Sequence, residues 1–311
     1  MKKYIRKFDL AVACGLLAAF AFSSCGTRKQ HIDFSELEAS LQAIVSTTKA
    51  QVGIALIVDN ADTLTVNNSG DYPLMSMFKL HEAIAVCRTL EQRGTNIDSL
   101  LAVKAEELSL DTWSPMLKEF GSDGFTVSIR RLMEYLLIHS DNNASNILFD
   151  RIVSVGETDD IIGEIMPQRG FRLIYKESEM AEDNSRAYLN ASSPLSYAAL
   201  VDKVFTTDVA SPSDTEFIRE MMRRCDTGMD RIAAGLPENA GIKFAHRTGS
   251  GYTNGRGEIA ALNDGGYIVL PDGRSYTLVV MVKDYPGPQP SADRLIARIS
   301  SAVYRFISGI E

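Results

Sequence analysis

Two serine–lysine pairs stand at the spacing that lets a hydroxyl and an amine share one face of a helix: Ser76-Met77-Phe78-Lys79 and Ser46-Thr47-Thr48-Lys49. A serine hydroxyl is a poor nucleophile at neutral pH until a neighbouring base or cation helps it lose its proton. Either pair would supply that neighbour, so the tetrapeptide alone does not choose. Ser76 follows Tyr72-Pro73-Leu74-Met75, a proline-marked turn that feeds an apolar segment. Ser46 falls at the polar end of an amphipathic segment, just before a strand, with no turn to project it into a cleft; it reads as solvated. Two further polar clusters accompany Ser76, namely Ser140-Asp141-Asn142 and Arg247-Thr248-Gly249. Taken singly, such residues cap helices and build turns. His246, beside the second cluster, reads as a strand residue and not as a base.

The surrounding pattern supplies elements to hold these groups. Ser35-Glu36-Leu37-Glu38 reads as a capping box ahead of Leu37, Leu41, Ile44 and Val45 at helical spacing. Residues 52–58 and 63–66 read as a hairpin around Asn60-Ala61-Asp62. Behind Lys79, Leu80, Ile84, Cys87 and Leu90 continue a buried helix that Gly94 ends. Ile129, Leu132, Met133, Leu136 and Leu137 form the stripe of a core-facing helix running into Ser140. Helical spacing recurs around Ile147–Ile152, Ile161–Ile162, and over 196–205 and 217–222. Strands return at 242–250, 258–262, 266–270 and 276–282, with Asn263-Asp264-Gly265-Gly266 and Pro271-Asp272-Gly273-Arg274 read as turns. A last helix over 291–308 stops at Gly309. The fold class is α/β (α+β): an antiparallel sheet domain from 25–78 and 236–311, flanked by helices, with an inserted all-helical domain from 79–235 and a cleft between them.

The chain has 311 residues, 45% of them apolar, enough for a substantial core, and a net charge of −8. Its start differs in character. Lys2, Lys3, Arg6 and Lys7 precede an apolar run from Leu10 to Phe22, of signal-peptide length and too short to span a membrane comfortably. The run ends in Phe22-Ser23-Ser24-Cys25-Gly26, which resembles the lipobox of bacterial lipoproteins, in which the cysteine carries the lipid after cleavage. Removing residues 1–24 takes away four basic side chains and Asp9, moving the net charge from −8 to −11. Such an acidic surface argues against nucleic acid as a partner. Cys87 and Cys225 remain; export would permit a disulfide, but Cys87 falls on an apolar helical stripe, and two buried thiols is the reading adopted. No Cys/His spacing suggests a metal site.

The joint order of Ser76-x-x-Lys79, Ser140-Asp141-Asn142 and Arg247-Thr248-Gly249, with a helical insertion between strands, resembles the class A serine β-lactamases and related penicillin-binding enzymes over nearly all of the mature chain. The resemblance implies hydrolysis of β-lactam antibiotics without a cofactor, by a monomer whose only membrane attachment is a lipid at Cys25 on the periplasmic side. It implies Ser76 as nucleophile, Lys79 as its activator, Ser140 as proton relay to the lactam nitrogen, Asp141 as a brace, and Asn142 as a partner of Lys79 and the substrate amide. The backbone N–H groups of Ser76 and Ser250 would form the oxyanion hole. Ahead of Ala191-Ser192-Ser193-Pro194, Glu177 would activate the deacylating water, with Glu179 as rival. The family's usual asparagine four places on is Ala181 here, and Asn190 replaces a loop-clamping aspartate. Both departures resemble the extended-loop subgroup, which includes cephalosporinases of anaerobic gut bacteria. Arg247 replaces the usual lysine and keeps the positive charge for the substrate carboxylate, with Thr248, Gly249 and Ser250 beside it. Arg231 is favoured over Arg256 as the further carboxylate partner. Trp113 would stack on substrate rings at the cleft mouth, or else lie in the core. A D,D-peptidase and a β-lactam sensor that acylates and stops are the alternatives.

Overall fold

The computed structural model describes residues 31–309, so the signal segment 1–24 and Cys25 lie outside the described residues. Contacts divide the chain into two units, residues 1–32 and 33–311, and every element below belongs to the second. The first helix, α1 (Ser35–Val45), buries Leu37 and Leu41. No capping box opens it: Phe34 is the N-cap, and the Ser35 backbone N–H and hydroxyl both donate to Asp33 Oδ1. The acid two residues upstream competes better for Ser35 than the helix's own third turn position does.

β1 (Gln51–Val58) and β2 (Asp62–Val66) pair as an antiparallel hairpin. A short 3-10 turn (Met75–Phe78) leads directly into α2 (Lys79–Gln92), which Gly94 terminates at φ 60°. The inserted segment is not all helical, because Leu100–Val103 pairs antiparallel with Phe125–Ser128 before α3 (Ile129–Ile138) begins; then comes α4 (Asn142–Arg151), whose N-cap Asp141 accepts from the Ala144 N–H. Next come α5 (Val155–Ile165), the short α6 (Glu177–Glu182), α7 (Pro194–Thr206) and α8 (Pro212–Arg223). The chain then returns to the sheet with β3 (Lys243–Ser250), β4 (Ile259–Val269) and β5 (Ser275–Tyr285). It ends with α9 (Gln289–Ser308), stopped by Gly309 in the left-handed conformation.

The main sheet has the order β2-β1-β5-β4-β3, all antiparallel. α7 packs on β1, β5 and β4, while α9 packs on β4, β5 and α1. Layers on both faces explain why β1 reads as a continuous apolar run and not as an alternation. The hydrophobic core runs without a break from Ala55 and Ile57 of the sheet, through α2, into Leu136, Leu148 and Met221 of the helices.

One expected turn is not a turn. Asn263-Asp264-Gly265-Gly266 lies in the middle of β4, a single strand of 11 residues. The Asn263 and Asp264 side chains are fully buried and bond other elements, not their own backbone. Asn263 Nδ2 donates to Pro73 O at 2.7 Å, and Asp264 accepts from the Ile232 N–H at 3.0 Å and pairs with His246 Nδ1 at 2.9 Å. Turn-forming residue types were recruited here as polar struts between the sheet and the segments laid on it.

Candidate active site

The Ser76 turn is clamped from several sides. Tyr72–Pro73 pairs with Ala191–Ser192, and the Leu74 N–H donates to Asn190 O. Gly249 of β3 passes so close behind that a Cβ there would come within 2.4 Å of Leu74 O. Met75, just ahead of the serine, is held at φ 47°, and Ser140 across the cleft at φ 60°. Non-glycine residues in this region cost about 1–3 kcal/mol each and persist only where the surroundings impose them.

Lys79 is fully buried on α2, one turn beyond Ser76. Its Nζ lies 3.0 Å from Ser76 Oγ, 3.0 Å from Ser140 O, 2.6 Å from Asn142 Oδ1 and 2.7 Å from Glu177 Oε1. Of these, Ser140 O accepts, and so does Asn142 Oδ1, because Asn142 Nδ2 is spent on Thr112 Oγ1. Burial pulls the Lys79 pKa below the ordinary value, and the Glu177 carboxylate opposes that pull. Ser76 Oγ donates to Glu177 Oε1 at 3.3 Å, so nucleophile, cation and carboxylate form one triangle.

Glu179, the rival base, accepts from the Lys176 N–H at the start of α6 and serves as a cap. The loop that carries Glu177 is closed at its base by the pairing of Phe171–Arg172 with Ala191–Ser192. Asn190 fills it: Oδ1 accepts from the Ile174 and Tyr175 N–H groups, and Nδ2 donates to Tyr175 O. An asparagine therefore does a clamping duty by neutral hydrogen bonds. Ala181 faces the cleft and presents no polar side-chain atom.

On the opposite wall, Arg247 is fully buried and donates to Leu137 O, Ser76 O and Ser140 Oγ at 2.8, 3.0 and 3.2 Å. Its charge thus stands behind Ser140, and the cleft-lining groups of this strand are Thr248 and Ser250. Arg231 is buried behind Ser250, 2.6 Å from its Oγ, and is fixed by Asp293 at 3.0 Å. Arg256 is 66% exposed, pairs with Glu258 and Asp284, and does not line the cleft. Asp141 holds Ser114 Oγ and the Met116 N–H, and so secures the loop that carries Trp113. Trp113 is 61% exposed at the cleft mouth, with its indole N–H on His139 O, and is not a core residue. Among the decoy residues, Ser46 donates to Ala43 O of its own helix, and Lys49 lines a different surface hollow.

These groups surround a cavity of about 640 Å³. Its lining includes Tyr252, Asn184 and Thr227, which the sequence reading did not single out. Thr227 is tied to Thr248 by a 2.6 Å hydroxyl contact, a pairing across 21 positions that no local pattern announces. Tyr252 stands two places beyond Ser250, past the end of β3, where no strand period announces its side. Cys87 and Cys225 are both buried and unpaired to one another.

The arrangement can activate a serine, stabilise charge at an attacked carbonyl, and hold a carboxylate against the resulting ester. Residues 36–307 match the family described as "Beta-lactamase enzyme family". A β-lactamase of Phocaeicola vulgatus is 39% identical over 309 residues, covering 98% of this chain and 96% of the relative. The extended-spectrum β-lactamase PER-1 of Pseudomonas aeruginosa is 30% identical over 95% of this chain and 94% of its own. The crystal structure of TLA-3 extended-spectrum β-lactamase superposes with a TM-score of 0.85 at 29% identity, covering 88% of this chain and 99% of that one. A class A β-lactamase from Bacteroides cellulosilyticus gives 0.83 at 26% identity, over 88% and 98%. Likeness along almost the whole chain, joined to a serine–lysine–carboxylate triangle in the cleft, means that this protein belongs to the class A serine β-lactamases, which hydrolyse the β-lactam ring.

Proposed function

We propose that hydrolysis proceeds through an acyl-enzyme on Ser76 that is released by water activated at Glu177. The contact that carries this reading is Glu177 Oε1, 2.7 Å from Lys79 Nζ and 3.3 Å from Ser76 Oγ. Ser76 Oγ attacks the lactam carbonyl carbon as its proton passes to the Lys79–Glu177 pair, of which Lys79 alone suffices when Glu177 is replaced, and the pair lowers the cost of the developing alkoxide. The backbone N–H groups of Ser76 and Ser250 hold the oxyanion. The C–N bond then breaks, and the lactam nitrogen takes a proton from the Ser140 hydroxyl, which Arg247 and Lys79 keep in place; the proton taken from Ser76 returns through Lys79 to Ser140, so that Glu177 is a free carboxylate again before deacylation. In the second half, Glu177 takes a proton from water, the resulting hydroxide equivalent attacks the ester, and Ser76 is regenerated. Thr248 and Ser250 bind the substrate carboxylate, with the Arg231 and Arg247 charges behind them; Asn142 meets the substrate amide, and Trp113 borders its ring.

A carboxylate beside the nucleophile favours turnover over an enzyme that acylates and stops. The test is mass spectrometry of Glu177→Gln with a cephalosporin: a stable adduct on Ser76 is expected, and none with Glu179→Gln. The reverse pattern would move the base to Glu179.

The substrates we propose are cephalosporins as well as penicillins, a reading supported by the words "extended-spectrum" in the names of PER-1 and TLA-3. Steady-state rates across both classes test it. The basic start, the apolar run from Leu10 to Phe22 and the small residues before Cys25 support export and lipid attachment at Cys25, with the catalytic domain on the periplasmic side. Among the described residues no helix is long and apolar enough to cross a membrane.

A further inference from the structure

The loop bearing Glu177 is fastened differently at its two ends. On the helical side the Ser178 N–H donates to Asn146 Oδ1, and Lys176 pairs with Asp150. Its far end, Asn184–Tyr188, reaches across the cavity to the sheet through two tyrosines. Tyr252 donates its hydroxyl to Asn184 O at 2.6 Å, and Tyr188 donates to Asp284 Oδ1 at 2.6 Å. Asn254 Nδ2 reaches both Tyr188 Oη and Asp284 Oδ1, and the two tyrosine rings meet edge to face at 6.5 Å. Asp284 is itself held by Arg256 at 3.0 Å. Asn184, Tyr252 and Glu177 all line the same cavity.

Deacylation places a stricter demand on this loop than acylation does. During acylation Lys79 grips Glu177 directly and Ser76 Oγ lies within reach. During deacylation a water must sit between Glu177 and the ester, and Ala181 offers it no polar atom, so the pose of the loop has to fix the water. We propose that Tyr252 and Tyr188 form a two-point clasp between the Glu177 loop and the sheet, and that they are positioning residues for the deacylation step. The proposal rests on Glu177 being the base. The Tyr252 bond is solvent-accessible, so it can open without unfolding its surroundings.

For an acyl-enzyme mechanism kcat/KM reports acylation, whereas kcat falls with whichever half-reaction is slower. Tyr252→Phe keeps the ring and removes the clasping hydroxyl. With a good cephalosporin substrate we expect kcat and KM to fall together by about five- to tenfold, the scale of one lost hydrogen bond, with kcat/KM within twofold of the parent. Acyl-enzyme should accumulate in the steady state, and amide hydrogen exchange over 177–188 should rise. Tyr188→Phe combined with Tyr252→Phe should deepen each change. A fall in kcat/KM matching that in kcat would show general structural damage and overturn the clasp, as would unchanged kinetics in the double variant. Failure of the underlying reading looks different: Glu177→Gln would then turn over without an adduct, while exchange over 177–188 would still report on the two tyrosines.

Discussion

At the scale of single residues, the protonation of Lys79 organises the chemistry. Its Nζ lies within hydrogen-bond distance of Ser76 Oγ, Ser140 O, Asn142 Oδ1 and Glu177 Oε1 in a buried wall of the cleft. Because burial lowers the pKa of Lys79, its proton is lost before pH 10.5, its ordinary value. The acylation rate should therefore fall on the basic side at a midpoint below 10.5. Glu177 is the group that supports the charge, so Glu177→Gln should move that midpoint further down. Single-turnover acylation measured against pH checks this, and an unmoved midpoint would assign the limb to another group. Arg231 and Arg256 show what residue type alone leaves undecided: both match carboxylate-binding patterns in sequence. Only burial behind Ser250, against exposure beside Glu258, separates them.

At the scale of elements, β4 carries a lesson about polar residues in strands. Asn-Asp-Gly-Gly is strong turn chemistry, and the apolar runs on either side look like two short strands. The tertiary structure overrides that local preference because each polar side chain finds a distant partner. Asn263 spans Pro73 O on one side and the Val282 N–H on the other. Asn263→Ala strips partners from buried backbone groups and should cost about 2–3 kcal/mol, read as a lower urea midpoint at unchanged slope. The same change loosens the segment under Ser76, so kcat/KM should fall as well. The long helices were legible, α3 and α9 above all, because an apolar stripe of period 3.6 is a local signal. The two-residue pairings of Tyr72–Pro73 and Phe171–Arg172 with Ala191–Ser192, which close the Glu177 loop, carry no such signal.

At the scale of the whole molecule, the basic segment, the apolar run and Cys25 ahead of the catalytic domain are the basis of our proposal that it is tethered outside the cytoplasm. In cells supplied with labelled palmitate, the parent protein should carry label and sediment with membranes. Cys25→Ala should carry none and be released with the soluble fraction; label retained in that variant would place the lipid elsewhere. By itself the sequence determined the order of the chemical groups, the helix periods and the alternation of sheet and helical segments, since these follow from neighbours a few positions apart. With the resemblance it also favoured Ser76 over Ser46, Glu177 over Glu179 and Arg231 over Arg256, but the distances and burial that make these groups one site came only with the tertiary structure. Ser46 and Ser76 have the same local spacing, but only Ser76 meets a carboxylate 101 positions away. Activation of a hydroxyl depends on distance and desolvation among groups remote in the chain, and folding alone sets those.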